Sequence, residues 1–278
     1  TWFEKKLWHM YDCTDYAVNL FNCPTVAYSG EIDKQKQAAD MMADALKAEG
    51  IELVHIIGPK TAHAYHPESK LDINSRIAPI AVLGRTTMPT RVRFTTWTLR
   101  YSQMRWIRLH GLEKHWERAR VDAEILNGRV VAQTENVTAV SFAMPPGRCP
   151  LDNARPPRVQ LDGQELSAAP VLSDRSWMTH FRKLDGRWTL VDSPDDGTLR
   201  KRPGLQGPID DAFMDSFIMV RPTGKPMNDK VDAWTSGEMI HAIEHWRRQF
   251  RGEARVKDDS DITDTDIASS NMILWGDP

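Results

Sequence analysis

The stretch from Cys23 to Gly58 constrains the fold more than any other part of the chain. "CPTVAYSG" (23–30) is a compact run of strand formers bounded by proline and glycine, the pattern of a strand buried on both faces. "DKQKQAADMMADALKAEG" (33–50) follows, with Ala38, Met41, Met42, Ala45 and Leu46 at helical spacing and Gly50 as a stop. "IELVHIIG" (51–58) is a second buried strand. Strand, helix and strand in so few residues predict two parallel strands joined by a right-handed crossover. "PESKLDINSRIAPI" (67–80) predicts a closing helix.

Beyond about residue 90 the apolar period changes from helical to two. "RVRFTTWTLRY" (91–101) and "MRWIRLHGL" (104–112) alternate as half-buried strands do. "ARVDAEILNGRVVAQTENVTAVSFAM" (119–144) predicts two strands around Asn127-Gly128, and "WMTHFRKLDGRWTLVD" (177–192) repeats the device at Asp185-Gly186. Both dipeptides suit a type I′ hairpin turn, which needs positive φ at both central residues. Together these strands predict an antiparallel β-sandwich, with Pro145, Pro146, Pro156 and Pro157 in an exposed loop. From "KRPGLQGPIDDAF" (201–213) onward the texture is again α/β: a strand in "MDSFIMVRPTG", an amphipathic helix over 232–250 that Ser236 would cap poorly, and a last strand in "NMILWG" (271–276). The expected organisation is an α/β portion over 1–88, a β-sandwich over 89–205 and a partial α/β segment over 206–278.

Composition removes several classes of function. The net charge is -2 with both signs interspersed, so no basic footprint for nucleic acid or anionic membrane exists. No apolar run approaches the roughly 18 residues of a spanning helix. Three cysteines, Cys13, Cys23 and Cys149, supply neither a disulfide framework nor a Cys-x-x-Cys zinc knuckle. No cofactor or metal is expected. The sequence starts at Thr1, shows no signal peptide and stops just after a strand-like run, so a fragment cut at both ends is the expectation.

The chemistry concentrates on two loops. Gly30-Glu31-Ile32-Asp33 follows the first strand, and "PKTAHAYHPES" follows the second. Reactive groups of an open parallel sheet gather outside the carboxyl ends of its strands, so Asp33 and His63 should share one edge. An acid on one such loop and a histidine on the next match the last two members of a Ser, Asp, His order. Other readings stay open: Asp33 as N-cap of a helix starting at Lys34, Glu31 as the acid, His63 as a plain loop residue, and His63 with His66 as metal ligands.

The residues over 24–80 resemble the C-terminal end of a prolyl oligopeptidase family catalytic domain. The family's Gly-x-x-Asp is matched by Gly30 and Asp33, its helix-start glutamine by Gln37, its helix stop by Gly50, and its histidine by His63, thirteen residues after Gly50. That spacing selects His63 over His66. The resemblance covers about a fifth of the chain. It implies an α/β-hydrolase sheet, a Ser-His-Asp triad with Asp33 and His63 as the two members present, serine-type cleavage of a peptide or ester, and a large multidomain bacterial parent, periplasmic or secreted. The family's Gly-x-Ser-x-Gly occurs nowhere in the 278 residues, and Ser29 sits on the wrong loop. The nucleophile is therefore expected outside this sequence.

Weaker motifs carry less. His241-x-x-x-His245 lacks the glutamate after the first histidine that a zincin needs, since Ala242 stands there, and reads as a solvated helix face. "DDSDITDTD" (258–266) lacks the EF-hand glycine and terminal glutamate and reads as a capping loop, and "GPIDDAF" (207–213) as a turn. Among ten tryptophans, Trp97, Trp106 and Trp188 fall in sandwich strands, as core or as a sugar platform. The competing functions are a non-catalytic β-sandwich that binds carbohydrate or protein, and a carbohydrate or carboxyl esterase using the same triad. Oligomeric state is left open.

Overall fold

A computed structural model describes residues 1–276, which divide into two compact units, Thr1–Pro203 and Gly204 onward. The chain mixes helices with several sheets, most of their pairings antiparallel. No helix among the described residues is long and apolar enough to cross a membrane.

The first unit begins with α1 (Trp2–Trp8) and a 3-10 segment over Cys13–Asn22. Strand β1 (Val26–Gly30), helix α2 (Lys36–Ala48), strand β2 (Val54–Gly58) and helix α3 (Pro67–Leu83) then form the expected crossover, with β1 and β2 parallel in the register Val26↔Val54 to Gly30↔Gly58. Helix α2 seats Leu46 as its one fully buried residue, beside Ala17 and Val18 of the 3-10 segment. Burial corrects one expectation. Neither strand is covered on both faces: β1 is half-buried until Ser29, and Val54 and Ile57 of β2 are each 38% exposed. The apolar runs are those of central strands, but this sheet has only two strands.

The alternating region builds two five-stranded sheets. One has the order β10-β9-β7-β6-β3 and the other β12-β11-β8-β5-β4, with β3 at Arg91–Thr96, β4 at Gln103–Met104, β5 at Ile107–Leu112, β6 at Ala119–Leu126, β7 at Arg129–Glu135, β8 at Val137–Met144, β9 at Arg158–Leu161, β10 at Gln164–Ser167, β11 at Trp177–Leu184 and β12 at Arg187–Val191. Phe94, Val121 and Leu161 of the first sheet share one apolar cluster with Ile107, Phe142 and Phe181 of the second. Trp106 and Trp188 belong to that core, while Trp97 lies half-buried under His9, ring centroids 3.8 Å apart. Asn127-Gly128 and Asp185-Gly186 have positive φ at both positions, as type I′ turns require.

Three details differ from the sequence reading. The stretch 119–144 makes three strands, because the chain leaves one sheet for the other at Asn136, which adopts φ 55°. Asp162-Gly163 forms a further hairpin between the short strands β9 and β10. Strand β9 also runs parallel to β7, so the arrangement is not wholly antiparallel.

Side chains close the exposed edge of β3. The Asn19 amide donates to the Thr95 carbonyl at 3.0 Å and accepts the Thr95 N–H at 2.8 Å, and Asn22 does the same for Arg93. An edge strand with its backbone groups satisfied this way no longer templates foreign strands. At the end of α2, Glu49 accepts from Arg118 at 2.5 Å and Arg120 at 2.6 Å. Burial opposes its ionisation, but the two guanidinium groups outweigh that and hold its carboxyl below the usual range.

In the second unit, β13 (Phe217–Arg221) lies between two parallel neighbours, β14 (Val256–Asp258) and β15 (Asn271–Leu274). Helix α4 (Asp229–Phe250) packs Met239 against Phe217 and Met219. Its cap is Asn228, whose Oδ1 accepts from the N–H groups of Lys230 and Val231, so the helix starts before the expected Ser236. The acidic run is spent locally: Thr263 and Asp266 form the capping box of α5 (Asp264–Ser269), and Asp266 also binds Lys257 at 2.8 Å.

Candidate functional site

The loops after β1 and β2 are tied to each other along their length. The Glu31 N–H donates to the Gly58 carbonyl at 2.8 Å and the Ile32 N–H to that of Thr61 at 3.1 Å. The Glu31 carboxylate accepts the Lys60 N–H at 2.7 Å, a tie between the loops, while the histidine contact is made by Asp33. A Cβ on Gly30 would overlap the carbonyl oxygens of Thr61 and Ala62, so the close approach of the loops requires glycine there. Gly30→Ala should therefore separate the loops and cost about 2 kcal/mol of stability, read as a lower urea midpoint. An unchanged midpoint would show that the loops tolerate separation.

Asp33 and His63 meet on this scaffold. His63 Nδ1 lies 2.9 Å from Asp33 Oδ2, with the carboxylate side chain 11% exposed and the imidazole 77% exposed. The other carboxylate oxygen accepts the Gln35 N–H at 2.9 Å. That backbone bond first, and the His63 contact second, hold the Asp33 carboxyl below its ordinary range. Asp33 is thus both a turn residue and a histidine partner. It is not the N-cap of a helix at Lys34, because α2 begins two residues later, after Gln35. A carboxylate facing Nδ1 fixes the tautomer with its proton there and leaves Nε2 as the free acceptor. Nε2 opens to solvent at the carboxyl edge of a parallel strand pair.

His66 takes a different position. Its N–H donates to the Tyr28 hydroxyl at 2.9 Å, Tyr28 donates in turn to the Ala64 carbonyl at 2.9 Å, and the ring turns inward with Nδ1 buried and unpartnered. His66 ends the loop as the residue before Pro67 of α3. Among the described residues no three His, Cys, Asp or Glu side chains converge as a metal site.

Two serine–histidine contacts escaped the sequence reading. Ser29 Oγ lies 3.0 Å from His55 Nε2, and His55 Nδ1 lies 3.8 Å from Asp40. The order of atoms imitates a triad, but Ser29 is covered and Asp40 is held by Lys36 at 2.6 Å, outside hydrogen-bond reach of the ring. The second contact lies on the face of the second sheet away from the shared core. Ser141 of β8 sits between His110 Nε2 at 2.8 Å and His180 Nδ1 at 2.6 Å, itself 3% exposed. A β-bulge places His110: Leu109 and Gly111 pair with the adjacent Val140 and Ala139, so His110 is the extra residue. Neither serine is reachable by a substrate.

The first unit also carries an open groove of about 1280 Å³ beside β4 and the ends of β8 and β11, its walls largely Met88, Met104, Met144, Pro145, Pro146 and Leu172. Cys23 lines it, so the groove borders the start of β1, whereas Asp33 and His63 follow the strand ends. Compared with family models, curated proteins and solved structures, the chain matches none.

Proposed function

We propose that Asp33 and His63 are the acid and base of a serine hydrolase of the prolyl oligopeptidase type, acting by acyl transfer on a peptide or ester. The observation that carries this reading is the Asp33–His63 bond, with Nδ1 held by a covered carboxylate and Nε2 open to solution. In this reading the 1–88 portion is the end of an α/β-hydrolase sheet and the alternating region is a β-sandwich appended to it. A sheet of only two strands among the described residues, with no further strand paired at either edge, favours one that continues in further strands. The nucleophile is carried by sequence beyond these 278 residues, since the serines bonded to histidine here are the inaccessible Ser29 and Ser141.

The chemistry follows from the pair. His63 Nε2 takes the serine proton as the oxygen adds to the carbonyl carbon, and the Asp33 carboxylate stabilises the imidazolium. The imidazolium then protonates the leaving amine or alcohol. Water, deprotonated by the same nitrogen, releases the acyl group. A gene product extended upstream should react with a fluorophosphonate probe and hydrolyse p-nitrophenyl esters or chromogenic peptides, which also separates peptidase from esterase. His63→Ala should abolish both signals, and unchanged turnover in that variant would overturn the assignment.

The groove favours one second reading, a binding module for an apolar segment of protein or for carbohydrate. Capture of such a ligand by the 278-residue chain, undiminished in His63→Ala, would support it.

A further inference from the structure

We propose that His241 and His245 on α4 form a chelating site for a divalent late first-row transition ion, Cu²⁺ most tightly, with Ni²⁺ and Zn²⁺ weaker. A separation of four residues puts both imidazoles on one face of the helix, one turn apart. Their ring centroids are 4.2 Å apart and the planes are inclined by 33°, so the rings stand side by side. Two nitrogen ligands at about 2.0–2.1 Å from one ion, in tetrahedral or square geometry, are about 2.9–3.4 Å apart. Rings at this spacing can meet that demand by small rotations alone.

The surroundings favour metal over a structural role. Both histidines are exposed, on the side of α4 away from Thr235 and Met239, which face the core of the second unit. Neither imidazole is hydrogen-bonded or ion-paired to another described residue, so four ring nitrogens are available. The helix is rigidly started by Asn228 and runs 22 residues, which fixes the pair with little loss of backbone freedom on binding. Ala242 follows His241, so the His-Glu-x-x-His order that places a zincin's base is absent. No third side chain completes it among the described residues, and water fills the remaining positions. Imidazole donors select copper, nickel and zinc over magnesium and calcium, and copper leads the affinity order.

The test is calorimetric titration of the tag-free 278-residue chain with Cu²⁺, Zn²⁺ and Mg²⁺. One equivalent of Cu²⁺ should bind, more tightly than Zn²⁺, and Mg²⁺ should give no heat. His241→Ala and His245→Ala should each weaken binding by about tenfold or more, while His63→Ala with His66→Ala should leave it unchanged. Chelation is separated from two independent imidazoles by the exchange of the exposed Ile240 with His241 (Ile240→His with His241→Ile), which keeps composition and moves the pair to a separation of five residues, on different faces of the helix. That exchange should bind as weakly as the single alanine variants. Wild-type affinity in the exchanged protein, or in both alanine variants, would overturn the proposal.

Discussion

Asp33→Asn in the extended hydrolase should lower kcat by roughly 10⁴-fold while leaving KM within a small factor, the effect expected when the orienting acid of a triad loses its charge. What decides the outcome is which nitrogen of His63 carries the proton. In the native pair the Asp33 carboxylate can only accept, so Nδ1 donates across the 2.9 Å contact and Nε2 stays free. An asparagine offers an amide N–H to the same nitrogen, which favours the opposite tautomer and leaves a proton on Nε2 where an acceptor is needed. The variant retains the bond from Gln35 N–H to Oδ1, so the loop should hold its shape. That separates this test from Gly30→Ala, which disturbs the loops themselves. Single-turnover acylation measured beside circular dichroism would distinguish the two: a full rate in a correctly folded Asp33→Asn protein would remove Asp33 from the mechanism.

The pairing was legible because it depends on topology. Two parallel strands joined by a helix put their following loops on one edge, and Gly30-x-x-Asp33 with a histidine thirteen residues after Gly50 requires no knowledge of packing. Asn127-Gly128 and Asp185-Gly186 were legible for a similar reason, since only a few dipeptides accept two positive φ values. Asp162-Gly163 carries the same chemistry but joins strands of four residues, too short for a period to stand out. The change of sheet at Asn136 escaped the reading because a single residue separates β7 from β8, with no turn dipeptide between them; its trace is an asparagine, a residue that tolerates φ 55°. Burial of β1 and β2 was overestimated because composition reports the environment a strand suits. The neighbours present are a separate matter. The Ser141 cluster needs three strands to be aligned before it exists at all.

That cluster makes stability depend on pH between neutrality and pH 4. His110 is held near neutral charge by burial first, then by the positive charges of Arg108 and Arg200 and the ring of His180, which push its pKa down to about 4. The unfolded chain returns it to the ordinary 6.5. Between those values the unfolded state binds the extra proton, so stability rises with pH. It is fully present above about pH 6.5, is lost as pH falls toward 4, and changes no further below that. The interval corresponds to about 2–3 kcal/mol, with partial solvent access to the ring setting the lower figure. His180 is lowered by burial too and adds in the same direction. Asp196, bonded to Thr198 and Arg182, is shifted down as well and stays ionised throughout this window, so it does not offset the loss. His110→Gln keeps a polar atom near Ser141 Oγ and removes the titration. Urea midpoints at pH 7 and pH 4 should converge in this variant by the stated amount relative to wild type. An equal acid loss in both proteins would mean that the Ser141 network shifts its protons without charge cost, and that burial at the bulge does not govern the histidine.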